Sequence, residues 1–162
     1  PGIAAFAAAA QEATDNLAEE SARLRTLRNY LIAAVERTVP EAVLRGPRDD
    51  EEGTRRLPGN AHFTFPGCEG DSLLFLLDLA GVESSTGSAC TAGVPRPSHV
   101  LLAMGLSETE ARGAQRFSLG HTSTAEDVDA LIDALPEAYE RAKKAGMAGS
   151  ESSIRTAGTG FS

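Results

Sequence analysis

The sequence predicts an α+β domain in which helices cover a short, mostly antiparallel sheet, preceded by a long N-terminal helix. Two observations carry this prediction. Apolar residues in the first 34 positions recur in alternating steps of three and four, the period of an amphipathic helix. Farther along, segments 60–65 and 114–120 alternate apolar and polar side chains, as half-buried strands do, and helical patterns lie between and after them.

Composition narrows the class of protein. The chain has 162 residues, 41% of them hydrophobic, which is enough for one domain with a real core. Its formal net charge of -8 argues against binding nucleic acid or anionic membranes through bulk charge. No apolar run approaches the roughly 20 residues of a membrane helix. Two cysteines do not make a disulfide framework, so we expect a cytoplasmic protein with reduced thiols.

The long helix is predicted over residues 1–40. Its apolar stripe runs from Ile3 to Ala34, only Glu20 interrupts it, and the helix ends before Pro40. A stripe of this length is also typical of a coiled coil, but the small alanines at its early positions favour a helix lying on the surface of one domain. The start of the chain lacks the basic region of a secretory signal, and it lacks an initiator Met. We therefore expect a chain that is trimmed or part of something longer.

The domain proper is predicted over residues 41–145, and a flexible tail over 146–162. A charged loop (45–59) leads to a strand in which Ala61, Phe63 and Phe65 share the buried face. Capping residues, glycines and periodicity predict the later elements. The first three are a helix capped by Asp71 or Ser72 and followed by Gly81, a brief strand at 82–84, and a helix from Ser98 to Gly105. The last three are a short helix with the capping box Ser107–Glu110, a strand at 114–120, and a helix with overlapping capping boxes Ser123–Glu126 and Thr124–Asp127 that Pro136 kinks or shifts.

Cys90 lies in the run "ESSTGSACTAGVPRPSHV" (83–100), between small residues that do not hold a chain in one shape. A buried structural cysteine normally has bulky apolar neighbours, whereas this composition predicts an accessible, mobile thiol. Arg96 is the nearest cation, so the local sequence does not show how a thiolate would be favoured. Composition by itself leaves a reactive thiol and an incidental loop cysteine equally open.

Arg116 is the second candidate. It lies on the strand face opposite Phe117 and Leu119, shortly before a Gly-His-Thr turn. Its guanidinium offers a planar fork that matches a carboxylate. A surface arginine that pairs with one of the many acidic residues is the alternative, and the residues alone favour that alternative.

The histidines and the other cysteine are weaker candidates. His62, His99 and His121 are far apart, and none has metal-ligand spacing with another His or Cys, so no metal site is predicted. Structural or exposed roles are expected for all three. Cys68 follows a Pro-Gly turn between strand and helix and is expected to be an incidental thiol.

The segments "STGSACTAGVPRPSHVLLAMG" and "QRFSLGHTSTAEDVD" together resemble the C-terminal part of the cysteine desulfurases. These are pyridoxal-phosphate (PLP) enzymes of the class V aminotransferase family, and the chain resembles their long-loop NifS/IscS type over residues 1–145. "PGNAHFTFPGCEGDSLLFLLD" also fits the family's strand and following helix. The resemblance implies the C-terminal small domain of the PLP-dependent aminotransferase fold (fold type I).

By this resemblance the chain takes part in converting L-cysteine to L-alanine, with the sulfur carried as a persulfide. The motif match makes Cys90 the sulfur carrier, Ser84 to Val94 its mobile loop, and Arg116 the arginine that binds the substrate carboxylate. The implied partners are a second copy of the full enzyme and a sulfur-acceptor or scaffold protein for iron–sulfur cluster assembly or thiolation. A persulfide that visits both a cofactor and an acceptor explains why the thiol lies on a flexible tether.

The chain departs from the family's pattern in one respect. The family's Schiff-base lysine and most PLP ligands lie in its larger N-terminal portion, and Lys143 and Lys144 match no cofactor lysine. No cofactor-binding residue is therefore expected in this chain, which should be inactive without the missing portion. His121 stands where relatives often carry Arg. A stand-alone persulfide relay and a helical interaction or dimerisation module using the stripe at 3–35 remain as alternatives.

Overall fold

The predicted α+β class is confirmed. A computed structural model of the chain describes residues 1–48, 55–87 and 97–157, with side chains described as far as residue 146. The elements are α1 (Gly2–Asp15), α2 (Leu17–Thr38), β1 (Val43–Leu44), β2 (Asn60–Thr64), α3 (Gly70–Leu79), α4 (His99–Ala103), α5 (Glu108–Arg112), β3 (Ala114–Ser118) and α6 (Ala125–Ala157). No helix in these ranges has both the length and the apolar character needed to cross a bilayer.

The strands form one antiparallel sheet in the order β1-β2-β3. β1 was not predicted, because two residues are too few to show a pattern. The predicted strand at 82–84 is wrong: within the described part of that segment only Ser85 pairs, through a single bridge to Arg116 on the outer edge of β3. The bridge comprises two backbone hydrogen bonds, from Ser85 N to Arg116 O at 3.1 Å and from Arg116 N to Ser85 O at 2.6 Å.

Helices α2, α3 and α6 cover one face of the sheet and enclose the main core. Ala61 and Phe63 of β2, with Phe65 just after it, lie completely or almost completely buried there, as their alternation predicts. Phe117 of β3 joins them, with its ring centre 6.5 Å from that of Phe63. Burial of these aromatic and aliphatic side chains is the main source of stability, and it fixes which face of each strand is left for chemistry.

The long N-terminal helix is interrupted at Asn16, which corrects the prediction of one continuous helix. The break is confined to this residue, because the backbone ladder continues through it: Asn16 N donates to Glu12 O at 3.1 Å, and Glu20 N donates to Asn16 O at 3.0 Å. The side chains of Thr14 and Asn16 also donate, to Ala10 O and Glu12 O. α2 buries Leu31 and five other residues, whereas α1 buries none. The apolar stripe therefore faces the core only in its second half.

Some of the predicted helix caps are confirmed and others are wrong. The capping box of Ser107 and Glu110 is present, as is the reciprocal pair of Thr124 and Asp127. The N-cap of α3 is Glu69 rather than Asp71 or Ser72.

At α6, the Ser123 hydroxyl accepts from Gly120 N instead of forming a box with Glu126. The helix passes through Pro136 and continues to Ala157, so the predicted tail is helical from 146 to 157. A Cβ on Gly146 would lie 2.6 Å from Gly67 O, so the Gly67 turn contacts α6 at this point and supports it. Residues 158–162 lie outside the described ranges.

Helices α4 and α5 lie at the opposite face of the sheet. With β3 they bury a small cluster of Leu101, Ala111 and Ala114, against which Leu106 packs. Ala114 and Arg116 alternate onto this same face. The cluster covers one end of this sheet face. The residues that lie across the sheet at the level of Arg116 are outside the cluster.

Candidate functional site

Four polar residues form a row across the sheet on the face away from the main core. His62 of β2 is the register partner of Arg116 of β3. On one side Arg45 N donates to His62 O at 2.8 Å, and on the other Ser85 bridges to Arg116. The backbone groups of His62 and Arg116 thus point away from each other, which makes them a non-hydrogen-bonded pair. In such pairs the Cα atoms are only about 4.5 Å apart, and the side chains are close.

Arg116 is half-buried, and its Nε atom is buried without a hydrogen-bond partner among the described residues. Leaving a buried donor of a charged group unpaired costs about 1–3 kcal/mol or more. The guanidinium therefore has a donor that no described residue uses, and the planar group matches a carboxylate in geometry. This places Arg116 on the strand face that its alternation predicts.

His62 has the same property at its Nε2 atom, which is buried and unpaired within the described part of the chain. Burial lowers the pKa of His62 below its usual value, and the positive charges of Arg116, Arg56 and Arg45 lower it further. The imidazole is consequently neutral near neutral pH. Sequence reasoning placed His62 on the polar strand face but assigned it only a structural or exposed role.

Arg45 differs from Arg116 because its guanidinium is already engaged. Its Nε donates to Thr64 Oγ1 at 2.7 Å, and it forms an ion pair with Glu110 at 3.3 Å. The two arginines border the same histidine, yet only Arg116 has a buried nitrogen without a partner among the residues described. The electrostatics of the row therefore favour an anion on the Arg116 side.

The segment that leads to Cys90 begins beside this row. Gln115, completely buried on the other face of β3, donates from its amide to Ser84 Oγ, and Gly87 N donates to Ser85 Oγ at 3.1 Å. Gly87 has a positive φ of 70°, and a Cβ there would lie 3.7 Å from the His62 ring. Residues 84–87 are thus anchored at the site. Cys90 and residues 88–94 of its predicted mobile loop lie outside the described residues.

The remaining candidates lie away from the row. His99 begins α4 and is exposed, and His121 is exposed in the turn after β3. Arg23 donates to three backbone oxygens of that turn, at Gly120, His121 and Ser123. Within the described ranges no three His, Cys, Asp or Glu side chains form a cluster that would hold a metal ion.

Cys68 is a core residue. Only 6% of its surface is exposed, and its thiol donates to Tyr139 O at 3.7 Å. Burial raises the pKa of this thiol to about 12, and the opposite effect of the nearby Lys143 charge is smaller. The thiol therefore stays protonated at neutral pH and is not a nucleophile.

The burial of Cys68 predicts that its thiol reacts slowly in the native state. In a Cys90→Ser variant, a thiol-specific reagent should label almost nothing in the native state, and a rise from about pH 7 to about pH 9 should add little, because both values lie below the raised pKa. Denaturant should then release one reactive thiol. Rapid labelling of the native variant would show that Cys68 is more exposed and more acidic than the structure indicates.

Comparisons with known proteins agree on one family. The family model described as aminotransferase class-V matches residues 1–131. The chain is 56% identical over 143 residues to an IscS-like cysteine desulfurase of Mycobacterium tuberculosis, and 42% identical over 143 residues to the cysteine desulfurase IscS of Clostridium botulinum. Each alignment covers 88% of this chain and 35% of the relative.

A solved structure gives the same result. The X-ray structure of a NifS-like protein from Rickettsia africae superposes with a TM-score of 0.63 at 30% identity, covering 78% of this chain and 31% of that one. The chain thus spans about a third of the length of the relatives that it matches.

Proposed function

The chain belongs to the class-V aminotransferase family, and from this membership we propose that it is the sulfur-carrying segment of a cysteine desulfurase. The complete enzyme would convert L-cysteine to L-alanine and pass the sulfur, as a persulfide on Cys90, to an acceptor protein. Arg116 would bind the carboxylate of L-cysteine. The observation that carries the proposal is the buried Nε of Arg116, which has no hydrogen-bond partner among the described residues and lies beside the start of the Cys90 segment.

The chain's own residues have two tasks in this reaction. Arg116 would fix the substrate by its carboxylate, which leaves the thiol end of L-cysteine free to be approached. Cys90 follows Gly87 by three residues, a tether of at most about 11 Å. The Cys90 thiolate would attack the substrate sulfur, so that a sulfur–sulfur bond forms, the carbon–sulfur bond breaks and the carbon takes up a proton to give alanine.

The residues described do not fit a covalent anchor for PLP, the cofactor implied by the family. Lys143 Nζ lies 2.9 and 3.1 Å from the two carboxylate oxygens of Glu41, and 5.2 Å from the centre of the Tyr139 ring. Lys144, the other lysine, is exposed on α6. We therefore assign the cofactor, whose electron withdrawal weakens the carbon–sulfur bond, to a portion of the enzyme that this chain does not contain.

Helix α1 supports a contact with that portion or with a second copy of the enzyme. None of its residues is buried, and Ile3 and Phe6 are 90% and 78% exposed. Exposed apolar side chains on one helix are typical of a surface that another chain or domain covers. The proposed partners of the chain are accordingly the remaining portion, a second copy of the assembled enzyme and a sulfur acceptor.

Reconstitution tests the proposal. The chain should be produced alone and together with the N-terminal portion of a close relative, and each preparation assayed with L-cysteine for alanine and, with a reductant, for sulfide. We expect PLP absorbance and both products only from the combined preparation. A combined preparation that binds PLP but forms no alanine would contradict the assignment. A chain that accepts persulfide sulfur alone would instead support a relay module.

A further inference from the structure

His62 and Arg116 form a matched pair on the site face. They are register partners without backbone hydrogen bonds to each other, so their side chains leave the sheet side by side. Each has a buried side-chain nitrogen without a partner within the described residues, Nε2 in His62 and Nε in Arg116. Two adjacent unsatisfied nitrogens are costly in a folded protein unless something else occupies the space between them.

The charges around this pair favour an anionic occupant. Arg45, Arg56 and Arg116 all act electrostatically on His62 and disfavour its protonated form. Glu110 and Thr64 engage Arg45, at the far side of the histidine. A carboxylate between His62 and Arg116 would offset the repulsion and accept from both nitrogens, because each of its two oxygens accepts hydrogen bonds.

We propose that His62 is a second substrate-binding residue, whose Nε2–H donates a hydrogen bond to the carboxylate that Arg116 binds. The inference rests on the proposed function, because it concerns the same substrate. A neutral imidazole provides this donor without a proton transfer. Since a Cβ on Gly87 would lie 3.7 Å from the ring, the ring is close to Gly87, and His62 would hold the carboxylate near the start of the Cys90 segment.

Kinetics of the assembled enzyme give the first test. His62→Phe keeps a ring of similar size but removes the donor, and it should raise KM for L-cysteine roughly 10- to 100-fold, as expected for one hydrogen bond to a charged group, with a much smaller change in kcat. His62→Gln, which retains an amide donor, should recover most of the affinity. An unchanged KM in an active His62→Phe enzyme would overturn the inference while leaving the proposed function intact.

A binding measurement on the full chain separates the two proposals, because it needs neither PLP nor turnover. The His62 imidazole resonance should shift when L-alanine, the product carboxylate, is titrated into the chain. Ethylamine, the matched amine without a carboxylate, should cause no shift, and Arg116→Gln should weaken the L-alanine response. Equal shifts with both compounds, or none with L-alanine, would show that His62 does not bind the carboxylate, whatever the activity of the assembled enzyme.

Discussion

The assembled enzyme should lose sulfur transfer when Cys90 is replaced by Ser, with the rate of alanine formation falling by a factor on the order of 10³ or more. A serine hydroxyl is a far weaker nucleophile than a thiolate and cannot store sulfur as a persulfide. Without a sulfur acceptor the carbon–sulfur bond of the substrate has no productive cleavage, so alanine and sulfide should disappear together. Alanine release and intact mass measure the two consequences.

The matched control for this variant is the other cysteine. Cys68→Ala removes a buried thiol, so it should lower stability but leave the specific activity of the folded enzyme near that of the parent. After incubation with L-cysteine, the Cys90 peptide should gain the mass of one sulfur atom in the parent and in Cys68→Ala. Activity that survives in Cys90→Ser, or a sulfur found on Cys68, would remove Cys90 from its carrier role.

Replacement of Arg116 by Ala should chiefly weaken binding of L-cysteine. Losing a charge-assisted contact to the carboxylate costs about 1.5–3 kcal/mol, which corresponds to a rise in KM of roughly 10- to 150-fold. Arg116→Lys keeps the charge but loses the planar fork, and should lie between the parent and the alanine variant. Steady-state kinetics over a range of L-cysteine concentrations measure the split between KM and kcat, and an unchanged apparent affinity would exclude Arg116 from the site.

A second consequence of Arg116→Ala checks the placement of the side chain independently of activity. Arg116 is the largest charge contribution to the lowered pKa of His62, after burial. Removing that positive charge favours the protonated imidazole, so the pKa of His62 should rise, as an NMR pH titration of the chain would show. A pKa that does not move would place the guanidinium farther from His62 than the cross-strand pair requires.

The parts of the fold that follow from local rules could be predicted from the sequence. The alternation of Ala61, Phe63 and Phe65 identified the buried strand face, and Ser107 with Glu110 identified the start of a short helix. The same reasoning missed the single-residue break at Asn16, where the backbone departs to φ −94° and ψ −2° while the apolar period continues across it.

The candidate site divides in the same way. Cys90 and Arg116 stand in motifs, so a resemblance to a family is enough to single them out. The roles of both stay predictions, and Cys90 also lies outside the described residues. His62 lies in the segment that fits the family's strand, but the resemblance assigned it no role. Its neighbour Arg116 is 54 positions away in sequence, and only the β2–β3 register brings together the two nitrogens that lack a partner in the described part of the chain. Gln115, which anchors Ser84 from the core side, likewise had no role predicted from the sequence.

By itself the sequence determined the fold class, the faces of both main strands and the family, and it singled out Cys90 and Arg116 as site candidates, because these depend on periods and patterns within a few residues. Tertiary structure alone decided that β1 pairs with β2, that α1 buries nothing, and that His62 stands next to Arg116. The reason is physical: strand register is set by how the whole apolar face packs, and a contact between distant residues leaves no periodic signal in either segment.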